Sequence, residues 1–169
     1  MGKFFNRFGM NAGKQWELKT GNLVTMTSDT SPAPFTVTTF GTGTIKSGSP
    51  YQMFDNNANT EIDTTGSGQV YTIFKLNFGK KIKIKKIYIN SGSTMNSSNP
   101  KDKGVMITTN ATSASNLGTT LVALSGEYDS GTTGVTKTCL QPDLETDNIC
   151  VVVAQIGHTV GMRDVMVTE

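Results

Sequence analysis

Residues 51–63 read YQMFDNNANTEID and gather three carboxylates, three asparagines and a threonine in a chain with 13 acidic residues in all. Oxygen-bearing side chains at this density invite one kind of chemistry. A hard cation such as Ca²⁺ takes about six to eight oxygens from carboxylates, amide groups and backbone carbonyls. Asp55, Asn57 and Thr60 supply several from one short segment. The same residues also serve a second end, an Asx-rich turn that satisfies only its own backbone. Both readings stand at this point.

Other chemistry is thin. The single histidine, His158, lies between glycines in QIGHTVGMRD, and no Ser-His-acid set can be built around it. Cys139 and Cys150 have no zinc-ligand spacing. Glu61 with Asp63, and Glu145 with Asp147, are carboxylate pairs, but nothing places either across a sugar as a glycosidase requires. GTGT at 41–44 lacks the lysine and hydroxyl of a phosphate loop. The chain is expected not to be an enzyme.

These residues need elements to hold them. FTVTTF (35–40) and VYTIFKLNF (70–78) alternate with a period of two, the latter with Val70, Thr72, Phe74, Leu76 and Phe78 on one face. A GKK turn follows, then IKIKKIYIN (82–90), in which Ile82 and Ile84 share one face and Ile87 and Ile89 the other. That slip of phase predicts a bulge at Lys85–Lys86. Further strands are expected at 105–109, 119–124, 133–140, 149–156 and 162–169. Short strands at this spacing, between Gly, Ser and Asn turns, give an all-β antiparallel sandwich of the jelly-roll kind. Residues 80–86 hold five lysines, read as the solvated face of a strand. Cys139 and Cys150 are expected as small buried hydrophobes. The alternative is a hairpin in which they face each other and form a disulfide.

At 169 residues with 15 basic and 13 acidic side chains, the chain has room for one core and makes no strong electrostatic claim on nucleic acid. No apolar run approaches the roughly 20 residues of a membrane span, and the N-terminus has no secretory h-region. Residues 1–21 form a separate arm. Phe4, Phe5, Phe8 and Trp16 stand there among Lys3, Arg7, Lys14 and Lys19. The arm packs on its own domain or docks on a partner subunit, because exposed aromatics in number mark an interface.

Residues 22–169 resemble the discoidin domain (coagulation factor 5/8 C-type, galactose-binding-like, close to family 32 carbohydrate-binding modules). The residues that carry the resemblance are Met53-Phe54-Asp55-Asn56-Asn57-Ala58-Asn59-Thr60, then Leu76-Asn77-Phe78-Gly79-Lys80, then 82–89, then Arg163-Asp164-Val165-Met166-Val167. Asn56 replaces the usual Gly, and Ile62 stands where Trp is common. The resemblance implies a structural Ca²⁺ held by Asp55, Asn57 and Thr60 and closed by Asp164 of the last strand. It also implies glycan binding, for which Tyr51, Tyr128, His158 and Arg163 are the candidates. VTMTSDTSPAPFTV (24–37) is similar to the openings of such domains in bacteriophage virion and tail proteins. The expectation is a non-enzymatic virion protein (decoration, collar or tail component), assembled in a host cytoplasm, homo-oligomeric and anchored to other virion proteins by its arm. The alternative is a glycan-binding adhesin for host-surface attachment.

Overall fold

The computed structural model describes residues 22–92, 104–125, 134–157 and 159–169. The expectations for Phe4, Phe5, Phe8, Trp16, Tyr128 and His158 fall outside these residues. Among the described residues ten strands form: β1 (Thr36–Gly41), β2 (Thr44–Ser47), β3 (Ile62–Thr65), β4 (Gln69–Lys83), β5 (Lys86–Ser91), β6 (Gly104–Thr109), β7 (Thr119–Ser125), β8 (Val135–Thr138), β9 (Glu145–Ile156) and β10 (Val160–Thr168), with one 3₁₀ turn at Pro50–Phe54. They make two antiparallel sheets, β1-β4-β9-β6-β7 and β2-β3-β10-β5-β8. This is the expected all-β sandwich.

The core lies between the sheets. Phe74, Leu76, Phe78, Val151 and Val153 of the first sheet pack against Ile62, Ile87, Ile89, Val165 and Val167 of the second, all fully buried or nearly so. Alternation along β4 sends Phe74, Leu76 and Phe78 inward. Ile73, just before them on the opposite face, joins Cys150, Val152 and Ala111 in a smaller cluster that excludes the main core residues. At one end of the sandwich Gln155 Nε2 of β9 donates to Thr64 of β3 and, at 3.3 Å, to Thr72 of β4, a polar link between the sheets.

Three expectations need correction. The GKK segment is no turn: β4 runs through it to Lys83. Registers Asn77↔Asn148 and Ile82↔Thr146 leave residues 78–81 opposite Asp147 alone, so the chain bulges. Phe78 is buried in the core, Gly79 takes φ +72, and a Cβ there would lie 2.6 Å from Pro34 Cγ. The slip of phase at Lys85–Lys86 is not a bulge either. The chain leaves the first sheet after β4 and enters the second as β5, so inward parity reverses and Ile82, Ile84, Ile87 and Ile89 all reach one core. Finally, no hairpin joins Cys139 and Cys150. β8 pairs with β5 in the second sheet, and β9 with β4 and β6 in the first. Cys139 belongs to the main core, Cys150 to the smaller cluster, and both are free buried thiols. Burial pushes both thiols up, which disfavours the reactive thiolate. The short strands β2 and β3 have no expectation to match.

Strand direction defines two ends. Asn22, Glu169, the β4 bulge and the 110–118 and 139–144 connections share one. The turns at 42–43 and 66–68, with Gly157, share the other.

Candidate functional site

The opening stretch folds as a 3₁₀ turn that delivers a tight loop. Ser49 and Gln52 form a capping box, with Ser49 N donating to Gln52 Oε1 at 2.7 Å. Met53 and Phe54 bury their side chains, and Phe54 O accepts the Met26 amide at 2.9 Å. The chain then reverses through Asn56 at φ +58, a conformation asparagine tolerates better than most residues.

The structure brings Asp55, Asn57 and Thr60 together. Asp55 Oδ1 accepts the Asn57 amide at 2.9 Å, and Asn57 Oδ1 accepts the Asn59 amide at 3.1 Å. The Thr60 hydroxyl lies 2.9 Å from Asp55 Oδ2 and 2.8 Å from Asn57 O, with one proton to share between them. So the turn does satisfy much of its own backbone. One atom is left over: Asn56 Oδ1 is buried and has no hydrogen-bond partner. A buried oxygen with no partner is a donor that a hard cation could use. Sequence reasoning treated Asn56 only as a stand-in for glycine and missed it. Among the described residues no three of His, Cys, Asp and Glu converge on a metal; beside the Asp55 carboxylate the turn offers amide, hydroxyl and backbone oxygens. Asp164 sits on β10, opposite Asn90 of β5, and is 1% exposed. β10 packs on the 3₁₀ turn that precedes Asp55.

Burial pushes the Asp55 carboxyl above its ordinary value, against the Thr60 and Asn57 hydrogen bonds that pull it down. The folded chain therefore holds this proton to higher pH than the unfolded chain does. In chelator, Asp55 should favour folding at acid pH, and that contribution should fade as pH rises through its raised folded value. Denaturation midpoints against pH in chelator check this: Asp55→Asn should remove the pH-dependent component.

Arg163 stands elsewhere. The β5–β10 register shifts between Met162 and Asp164, so Arg163 occupies a bulge of β10. Its Nε donates to Glu61 Oε2 at 3.1 Å, with side chains only 20% and 21% exposed. The two expected carboxylate pairs thus have separate duties. Glu61 holds Arg163, and Asp63 accepts from Ser47 Oγ at 3.0 Å. Asp147 accepts from Asn148 Nδ2 at 2.7 Å. Tyr51 packs its half-buried ring against the core, and its amide donates to Asp29 Oδ1 at 2.9 Å.

No family model and no curated protein matches the chain. Solved structures do. Chitosan-binding module 1 of a chitosanase/glucanase from Paenibacillus sp. IK-5 superposes with a TM-score of 0.57 at 14% identity, over 88% of this chain and 98% of that one. A family 32 carbohydrate-binding module of NanJ from Clostridium perfringens, in complex with galactose, gives 0.50 at 21% identity, over 79% and 93%. The fold is galactose-binding-like. A fucolectin from striped bass (Morone saxatilis) serum shares it, with a TM-score of 0.56 at 13% identity over 77% of this chain. The chain spans 46% of that fucolectin's length.

Proposed function

We propose that this galactose-binding-like domain is a non-catalytic glycan-binding module, with Arg163 as its central polar contact. The observation that carries the reading is the bulge at Arg163. Bulges re-aim side chains at sites, and this one sets a half-buried guanidinium against a carboxylate. Held by Glu61 through Nε, the group keeps its terminal N–H donors for sugar hydroxyls in a fixed orientation. The fold's occurrence in chitosan- and galactose-binding modules supports it. Glycan-array binding by the full chain is the test. Arg163→Ala should weaken binding about 10- to 100-fold, the loss of charge-assisted hydrogen bonds of about 1.5–3 kcal/mol. An array with no signal, or an Arg163→Ala protein that binds as before, sinks the reading.

Residues Asp55, Asn56 and Thr60, with Asp164, would hold Ca²⁺ as an architectural ion that fixes the turn. Ca²⁺ at a hundred times its Kd should stabilise the fold by about 2.7 kcal/mol, and Asp55→Asn should abolish the gain. A thermal midpoint indifferent to Ca²⁺ rules the ion out.

The setting we infer is display on a particle, a bacteriophage virion in the first instance. Its support is the sequence of residues 1–21 and the resemblance at 24–37. Deleting residues 2–21 should abolish incorporation into particles while the sandwich still binds glycan. Particles that incorporate the truncated chain normally would exclude this role for the arm.

A further inference from the structure

The β4 bulge leaves a cavity of about 370 Å³ lined by Asn77, Gly79, Lys80, Lys81 and Asp147. It lies at the end of the sandwich that carries Asn22 and Glu169, on the first sheet. Arg163 is on the second, and the turns at 42–43 and 66–68 are at the other end. Its volume falls within the range of about 300–1,000 Å³ usual for small-molecule sites.

Its polar groups are held from behind. Asn148, 2% exposed, donates through Nδ2 to Asp147 Oδ1 at 2.7 Å and to Asn110 Oδ1 at 2.9 Å, while its own Oδ1 accepts the Asn110 amide at 2.9 Å. That chain orients the Asp147 carboxylate. Asn77 Nδ2 donates to Thr36 Oγ1 at 3.2 Å, which fixes the amide and leaves its carbonyl oxygen as an acceptor. Phe78 and the Pro34 contact at Gly79 anchor the bulge, so Lys80 and Lys81 start from a fixed backbone. Lys80 pairs with Glu169 at 3.1 Å, but both side chains are more than half exposed (62% and 52%). Such a pair is weak and exchanges readily. Among the described residues no carboxylate pairs with Lys81, Lys85 or Lys86. All three are exposed at the same end.

Two ammonium groups, a fixed carboxylate and a fixed amide oxygen make a mixed set of donors and acceptors. We infer that this cavity is a second saccharide site, which takes a hexuronate unit of an acidic glycan. The uronate carboxylate meets Lys80 and Lys81, and ring hydroxyls donate to Asp147 and Asn77. Asp147 makes the cavity a poor host for a dianion such as phosphate, by like-charge repulsion. The lining has no aromatic ring for a base or a sugar face to stack on, so a neutral sugar finds too little there. The inference is independent of the Arg163 site.

The test titrates the full chain with a trimer of galacturonic acid, at low and high salt, and follows backbone amide resonances. Shifts should appear at residues 79–81 and 147 and fade at high salt. Lys81→Ala, at an exposed position, should weaken the trimer about tenfold, the worth of about 1.4 kcal/mol. Asp147→Asn should weaken it as well while thermal stability is kept. Arg163→Ala should leave the shifts at 79–81 and 147 in place whatever it does to binding on β10, and Lys81→Ala should leave any shifts around Arg163 in place, which separates failure of this site from failure of the other. Trimer binding that ignores Lys81→Ala, or no shifts at 79–81, overturns the inference. Inorganic sulfate binding as tightly as the trimer would also overturn it, because the cavity would then be an anion site without sugar recognition.

Discussion

Phe54→Ala should cost about 3–5 kcal/mol of folding stability, the usual range for removing a buried phenylalanine ring. Phe54 is 1% exposed in the main core cluster, and its carbonyl receives the Met26 amide. The ring leaves a void that the β-sheets around it cannot close, because their registers are fixed by ladders on both sides. Against a total of about 5–15 kcal/mol for an ordinary domain, one substitution removes a large share. The effect should also reach the next residue. Asp55 begins the oxygen-rich turn, and Phe54 is what ties that turn to the core. Urea denaturation should show the lowered midpoint. Leu144→Ala, at a 36%-exposed site, should stay within about 0.5 kcal/mol of the parent. Equal, small effects at both positions would mean that the 3₁₀ turn does not anchor the core.

The second large effect is at Gly118, and its measure is a comparison. Gly118 and Gly68 have nearly the same backbone conformation, φ +75 and +77. Alanine at Gly68 meets nothing within 4 Å, so it should cost only the left-handed strain, about 1–2 kcal/mol. A Cβ at Gly118 would overlap the Thr109 carbonyl oxygen and lie 2.8 Å from the Ala111 nitrogen. Those are backbone atoms and cannot swing aside. Gly118→Ala should therefore cost about 3 kcal/mol or more, strain plus displacement. It should also disturb Thr109, whose hydroxyl donates to Asn148 O at 2.8 Å. Matched thermal midpoints of the two variants would show that the 110–118 connection gives way freely.

Much of this architecture was legible in the residues themselves. Alternation in 70–78 identified the inward face of β4, and the motif at 53–60 identified the turn that draws Asp55 and Thr60 together. What escaped was mostly non-local. A phase slip in a lysine-isoleucine run reads the same whether a strand bulges or changes sheets. Only the partners of β4 and β5 decide, and they lie far along the chain. The same holds for Cys139 and Cys150, close in sequence, the one just past β8 of the second sheet and the other within β9 of the first. Arg163 and Glu61 are 102 residues apart, and no local pattern announces their pairing. β2 and β3 have four residues each, too few for periodicity to register. The orphan oxygen of Asn56 depends on which neighbours a left-handed residue meets, and composition carries no trace of that.

The first and last of the described residues are laid side by side. Leu23 N donates to Val167 O at 2.8 Å, and Val167 N donates to Asn22 Oδ1 at 3.1 Å. A load pulling Asn22 away from Glu169 would not shear this seam along its length. It would peel it, breaking Val167's bonds first and then working inward toward the Met26–Phe54 bond. Tension on a tether upstream of Asn22 would thus be met one hydrogen bond at a time, giving way gradually at this end.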